Sequence, residues 1–176
     1  IGIYGDGTTY SLRKPTYTFK NLAYGVMSSD MMFSPRVANQ MVGMGLLDAI
    51  TINDLLAHAD EADVDGDGIS GKANYVYDVE EGTMVIGRFG WKAGEPTVRQ
   101  QVAGAFVGDI GITSSIFTNE NHTNQQTAAQ AAPNGNNSNG YELDDQTLDR
   151  VELYSSALAV PGRRNWKDQN VLKGKE

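Results

Sequence analysis

Apolar positions change their period several times along the chain. In "SPRVANQMVGMGLLDAI", residues 34–50, Val37, Met41 and Met44 return on one helical face, and Ala38, Val42, Leu46 and Ala49 cover much of the rest. That spacing predicts a helix that is apolar on most sides and therefore buried. Ser34 is its natural cap, and Pro35 suits the first helical position, where a missing N–H costs nothing. Gly43 and Gly45 weaken it locally and allow a neighbour to approach closely. Thr51 caps a second, short helix in "INDLLAHADEAD". Pro96 opens "PTVRQQVAGAFVGDIG", where Val98, Val102 and Phe106 recur every four residues and Gly108 and Gly111 mark the end. Asp144 or Asp145 caps "DQTLDRVELYSSALAV", with Leu148, Val151, Ser155 and Leu158 in one stripe and Pro161 as the stop.

Strand patterns are fewer. The first 25 residues read as extended, with glycine-rich turns and two short β-prone runs separated by Pro15. "NYVYDV" and "TMVIGRFGW", joined by "EEGT", predict a hairpin. Residues 119–140, "NENHTNQQTAAQAAPNGNNSNG", have almost nothing to bury and read as a long flexible polar loop. The tail "GRRNWKDQNVLKGKE" reads as a linker. The expected fold is mainly α, with a small β-hairpin and long loops, in a single domain over 1–176.

Composition narrows the function. The chain has 176 residues, 40 % of them hydrophobic, and a formal net charge of −8. That charge argues against nucleic acid, whose phosphates need Lys and Arg. No apolar run approaches the ~18–20 residues that span a bilayer. The chain opens on Ile1 and reads as mature, trimmed, or cut from something longer. It contains no cysteine, so it offers no disulfide, no thiolate metal site and no thioether-attached haem.

"DVDGDGISG", residues 63–71, sets three aspartates on alternate positions. Like charges this close repel unless a cation offsets them. Numbered from Asp63, a calcium loop places ligands at Asp63, Asp65 and Asp67, a glycine at Gly68, the Ile69 carbonyl next, and Asn74 in the twelfth position. Asn74 supplies one neutral oxygen where a bidentate glutamate is usual, so the expected affinity is weak, on the order of 10⁻⁴–10⁻³ M. Asp60 or Asp78 could complete the shell from outside the loop. The alternative is a solvated acidic turn, since Asp and Gly form turns without metal.

Several stretches together resemble one family. "SLRKPTY", "SPRVANQMVGMGLLDAI", "ADVDGDGISGKANYVYD", "GRFGWKAGEPTVRQQVAGAFVGDIGITS" and "LYSSALAVPGRR" resemble the bacterial di-haem oxidoreductases of cytochrome c-type fold, a group also labelled thiol oxidoreductases. The similarity runs in order from about Leu12 to Arg164, and "RFGWKA" and "GDIGITS" are its most specific parts. The resemblance implies a cytochrome c-like, di-haem peroxidase-like scaffold and a periplasmic redox protein, with Cys-x-x-Cys-His haem motifs on either side of the segment represented here. It implies haem c in the parent protein, not attached to this chain, and an electron-transfer or peroxidase-like role. The implied partners are the flanking haem-bearing segments and a redox partner protein. A cysteine pair is implied near residues 119–130, where this chain has His122 and alanines.

The remaining candidates follow from that frame. Trp91, between Arg88 and Lys92, is either an electron relay or a packing residue; no other catalytic residue is expected. His58 and His122 read as surface histidines, Met41 and Met44 as core filler rather than axial ligands. Arg163 and Arg164 could meet haem propionates in a whole protein. A competing reading is a calcium-stabilised secreted interaction module with no redox role. A metal-dependent hydrolase lacks a His or Glu base at useful spacing. The expected location is periplasmic or secreted.

Overall fold

The computed structural model describes residues 1–174. The elements run β1 Gly2–Ile3, β2 Thr9–Tyr10, α1 Met44–Asp48, α2 Ile52–Ala57, β3 Tyr75–Asp78, β4 Thr83–Ile86, α3 Val98–Asp109, α4 Thr127–Gln130, α5 Asp145–Ala157 and α6 Gln169–Lys173. Helices make up 26 % of the protein and outweigh the strands, which form two antiparallel hairpins. Long loops carry most of the rest. By contact the chain forms two compact units, Ile1–Pro35 and Arg36–Glu176.

In the first unit, β1 pairs with β2, Gly2 opposite Tyr10 and Ile3 opposite Thr9. The Asp6 carboxylate accepts from the Thr8 backbone at 2.9 Å and its hydroxyl at 2.6 Å, which closes the turn. These bonds hold the Asp6 carboxyl below its ordinary pKa. Both strands lie before Pro15, whereas β-prone runs are expected on either side of it, and the run after Pro15 forms no strand. Proline removes a ladder donor there. Instead Phe33 meets Phe19 and Tyr17 edge-on, at ring separations of 5.3 and 5.9 Å.

In the second unit, β3 and β4 form the expected hairpin, Tyr75 opposite Ile86 and Asp78 opposite Thr83. Buried Asp78 accepts from the Glu80 and Glu81 backbones, each at 3.0 Å, and fixes the connecting loop. Thr97, one residue beyond Pro96, caps α3 by accepting from Gln100 N at 3.1 Å. Asp144 caps α5 by accepting from Thr147 N at 2.8 Å. The apolar stripes of the two helices then meet. Val98, Val102 and Ala103 of α3 and Leu148 of α5 form the core with Phe89 and Ile116. Gln100 ties α3 to the hairpin: its oxygen accepts from Val79 N at 2.9 Å and its nitrogen donates to Tyr77 O at 3.1 Å and Glu95 at 2.9 Å.

Arg99 reaches from α3 to four carboxylates: Glu80 at 3.1 Å, Glu152 at 3.2 Å, Asp145 at 3.9 Å, and Asp149 in direct contact. Burial alone would lower its pKa; the bonds to Asp149 and Glu152 and the charge of Glu80 outweigh that and raise it.

The expected helix over 34–50 is the main correction. Only Met44–Asp48 is helical. Gly43 sits at φ 83, in the left-handed region, and breaks continuity. Val37 is 83 % and Met41 47 % exposed, so the predicted burial is absent as well. A short helix needs its apolar face covered, and Val37 has no such cover. Residues 119–140 are loop except for the single turn α4. Glu142 closes this loop by accepting from Thr113 N at 3.1 Å and Gly135 N at 3.2 Å. The tail read as a linker contains α6, capped by Asp168 on Asn170 N at 2.8 Å.

Candidate functional site

The "RFGWKA" segment follows β4 and turns back on itself. Phe89 is buried in the core, and Gly90 at φ 81 sends the next residue outward. Trp91 therefore lies 71 % exposed, yet its indole N–H donates to the Val37 carbonyl at 2.8 Å. Asn74 pins the far side of the turn, donating to Lys92 O at 3.1 Å and Ala93 O at 3.0 Å. Arg88 reaches the other way and donates to the carbonyls of Leu47, Asp48 and Ile50. A cation there meets carbonyls at and just beyond the end of α1, where the helix dipole is negative.

These contacts border an apolar cavity of about 690 Å³ that is open to solvent on one side. One wall is the chain from Ala38 to Met44; the other is Phe89, Trp91, Val102, Ala105 and Phe106, closed by Val151 of α5. Its size lies in the range of small-molecule and cofactor sites, roughly 300–1,000 Å³. An adjoining depression shares Phe89 and Trp91 and adds Arg36 and Lys92. An apolar floor thus has a mixed edge, with Arg36 and Lys92 beside the carboxylates of Glu95 and Asp109.

The donor set tests the fit to haem. Covalent attachment needs two thiols and a proximal histidine, and the chain has no cysteine. Its two histidines line neither cavity: His58 is the exposed C-cap of α2, and His122 lies half-buried, 4.0 Å from Glu120. Haem attachment therefore does not fit this chain. Apolar cover for a porphyrin face does fit. Met41 and Met44 both line the cavity, Met44 also packing on the core. Arg163 and Arg164 are exposed.

The aspartate loop is a second cluster. Oxygens of Asp60, Asp63 and Asp65 lie within 4.8 Å of one another. Asp60 is fixed by its reciprocal backbone pairing with Gly71, at 2.8 and 3.0 Å. Its carboxylate accepts from Val64 N at 2.9 Å, and Asp63 accepts from Gly68 N at 3.2 Å. Asp63, Gly66 and Gly68 all have positive φ, which curls the loop around these groups. Asp67 turns to Ile69 N at 2.7 Å, Ile69 is 70 % exposed, and the Asn74 amide points to Lys92 and Ala93. Among side-chain carboxylates, the structure thus groups Asp63 and Asp65 with Asp60; the Asp67 carboxylate accepts from Ile69 N, and Asn74 uses its amide nitrogen on Lys92 and Ala93.

The cavity escaped the sequence reading because its walls come from separated segments. The only signal was the concentration of Phe89, Trp91 and two cations in one short stretch. Among the described residues, no helix is long and apolar enough to cross a membrane. No curated protein and no solved structure matches the chain. A family model does, described as "Di-haem oxidoreductase, putative peroxidase", over residues 3–176. With nearly every residue inside that match, the chain belongs to the di-haem oxidoreductase family.

Proposed function

We propose that this chain is the haem-covering part of a periplasmic di-haem c-type oxidoreductase of cytochrome-like scaffold, acting in electron transfer or peroxidase-like chemistry. The observation that carries the reading is the apolar cavity between residues 38–44 and α3, rimmed by Trp91, in a chain with no cysteine to attach haem. The attachment motifs belong to flanking segments of the parent protein, and this chain covers a porphyrin face they present. Haem, when docked, supplies the redox centre. The chain's own residues exclude water from that face through Val102, Phe106 and Val151, and Arg36 and Lys92 suit carboxylate groups at its edge. Trp91 stands at the rim, where an aromatic ring can pass an electron to a redox partner protein.

Calcium at Asp60, Asp63 and Asp65 rigidifies the link between α2 and the hairpin. A weak loop of this kind suits a compartment rich in calcium, in keeping with a periplasmic location.

Titration of the chain with ferric protoporphyrin IX tests the docking. A shifted Soret band is expected, with affinity reduced about tenfold or more in Phe106→Arg, which buries a charge in the cavity. Equal binding by both proteins would overturn the reading. So would a parent gene lacking Cys-x-x-Cys-His on both sides of this segment; repeats or a sorting signal there would favour a calcium-stabilised interaction module.

A further inference from the structure

We propose that residues 36–42 are a strap with two backbone conformations: the coil seen here, and a helix formed when a porphyrin covers its apolar face. The inference rests on the docking reading above and adds a moving part to it.

The strap's sequence and its conformation disagree. Ser34 and Pro35 are helix-start signals, and Ala38, Gln40 and Met41 are good helix formers. Yet residues 36–41 have no regular structure. The strap is held lightly. At one end Trp91 donates to Val37 O at 2.8 Å; beyond the other, Gly43 N donates to Leu158 O at 2.9 Å. Between them, the backbones of Ala38, Asn39 and Gln40 make no hydrogen bond among the described residues.

The Trp91 bond is the latch. In a helix the Val37 carbonyl would accept from the Met41 N–H four residues on. The indole N–H bonds that oxygen and holds the Val37 carbonyl in its coil orientation, away from Met41 N–H. Gly43 bounds the change at the other end. Its φ of 83 forbids continuation into α1, and a Cβ there would lie 2.6 Å from Val160. The helix therefore ends at Val42. A helix this short is not stable alone, because nucleation costs more than its few bonds return. It needs cover on Val37, Met41 and Val42, and Met41 and Val42 already line the cavity. A porphyrin seated against α3 supplies such cover.

Hydrogen–deuterium exchange of the 176-residue chain, with and without zinc protoporphyrin IX, tests this. Amides of 38–42 should exchange freely in the chain alone and slow about tenfold or more with porphyrin bound. Gln40→Pro should bind porphyrin about tenfold more weakly and show no such protection. Trp91→Phe keeps a ring at the rim but frees Val37 O, so protection should appear at lower porphyrin concentration. Porphyrin binding that leaves 38–42 unprotected would overturn the strap and leave the docking intact. Absence of porphyrin binding would remove both.

Discussion

The side-chain amide of Asn74 donates to the Ala93 carbonyl at 3.0 Å, across nineteen residues of sequence. Ala93 itself is left-handed, at φ 47. The bond holds a strained turn in place and commits the Asn74 nitrogen away from the aspartate loop. Asn74→Asp separates the two roles considered for this residue. It sets a carboxylate against two carbonyls and should destabilise the protein by about 1–3 kcal/mol in urea unfolding. Calcium affinity should stay unchanged. An affinity gain would show that position 74 reaches the metal after all.

Calcium binding itself is measurable as a stability change. With Kd near 1 mM, 10 mM calcium should stabilise the folded chain by about 1.4 kcal/mol. The double variant Asp60→Asn, Asp63→Asn should lose that response, while magnesium at the same concentration should give little. A melting temperature indifferent to calcium in the unaltered chain would leave the loop as a solvated turn.

Arg99 stands among four carboxylates with its side chain only 19 % exposed. Arg99→Met leaves those charges facing one another, with an apolar group in their midst. The expected loss is about 2 kcal/mol by urea denaturation, discounted because Asp145 and Asp149 are more than half exposed. Added salt should recover part of it by screening the repulsion.

Asp144 gives a pH dependence of known sign. Its bonds to the Thr147 backbone and hydroxyl hold its carboxyl below the ordinary value. A group depressed in the folded state contributes stability above its unfolded pKa, roughly 3.9. That contribution is lost as pH falls through the lower, folded value. Asp144→Asn keeps an N-cap acceptor and should flatten this part of the acid melting profile. Asp144→Ala removes the cap and should lower Tm by about 2–4 °C at neutral pH.

Gly45 approaches α5 so closely that a Cβ would lie 2.3 Å from the Ser156 carbonyl oxygen. Gly45→Ala should therefore destabilise by about 1–3 kcal/mol, despite alanine's higher helix propensity. A stabilised variant would show that the helices can part without cost.

The sequence was readable where a periodic stripe finds its partner within the chain. Val98 and Val102 meet Leu148, and the caps Thr51 and Thr97 stand beside the predicted starts. Asp144 was one of two residues named for α5. The stripe Val37–Met41–Met44 has the same period but not the same cover, and only its last residue is helical. Periodicity reports a face that wants burial, not whether a partner is present. In the aspartate loop, spacing named Asp63 and Asp65, with Asp60 or Asp78 offered from outside; of these two, Asp60 is the one that lies beside them, fixed by its backbone pairing with Gly71. Asn74 was named by loop count for its side-chain oxygen; what counting along the chain does not contain is that its amide nitrogen donates to Lys92 and Ala93.

Gly87 gives that turn an unusual footing. Its backbone N–H is bonded to Asn74, and a Cβ on it would come within 1.9 Å of the Ala93 carbonyl oxygen. The excursion that carries Trp91 thus leaves and returns at almost the same point, like an arch whose two piers share one foundation stone. A methyl group added at Gly87 would wedge the piers apart and tilt the indole at the crown, although the substitution touches neither Trp91 nor the cavity it overlooks.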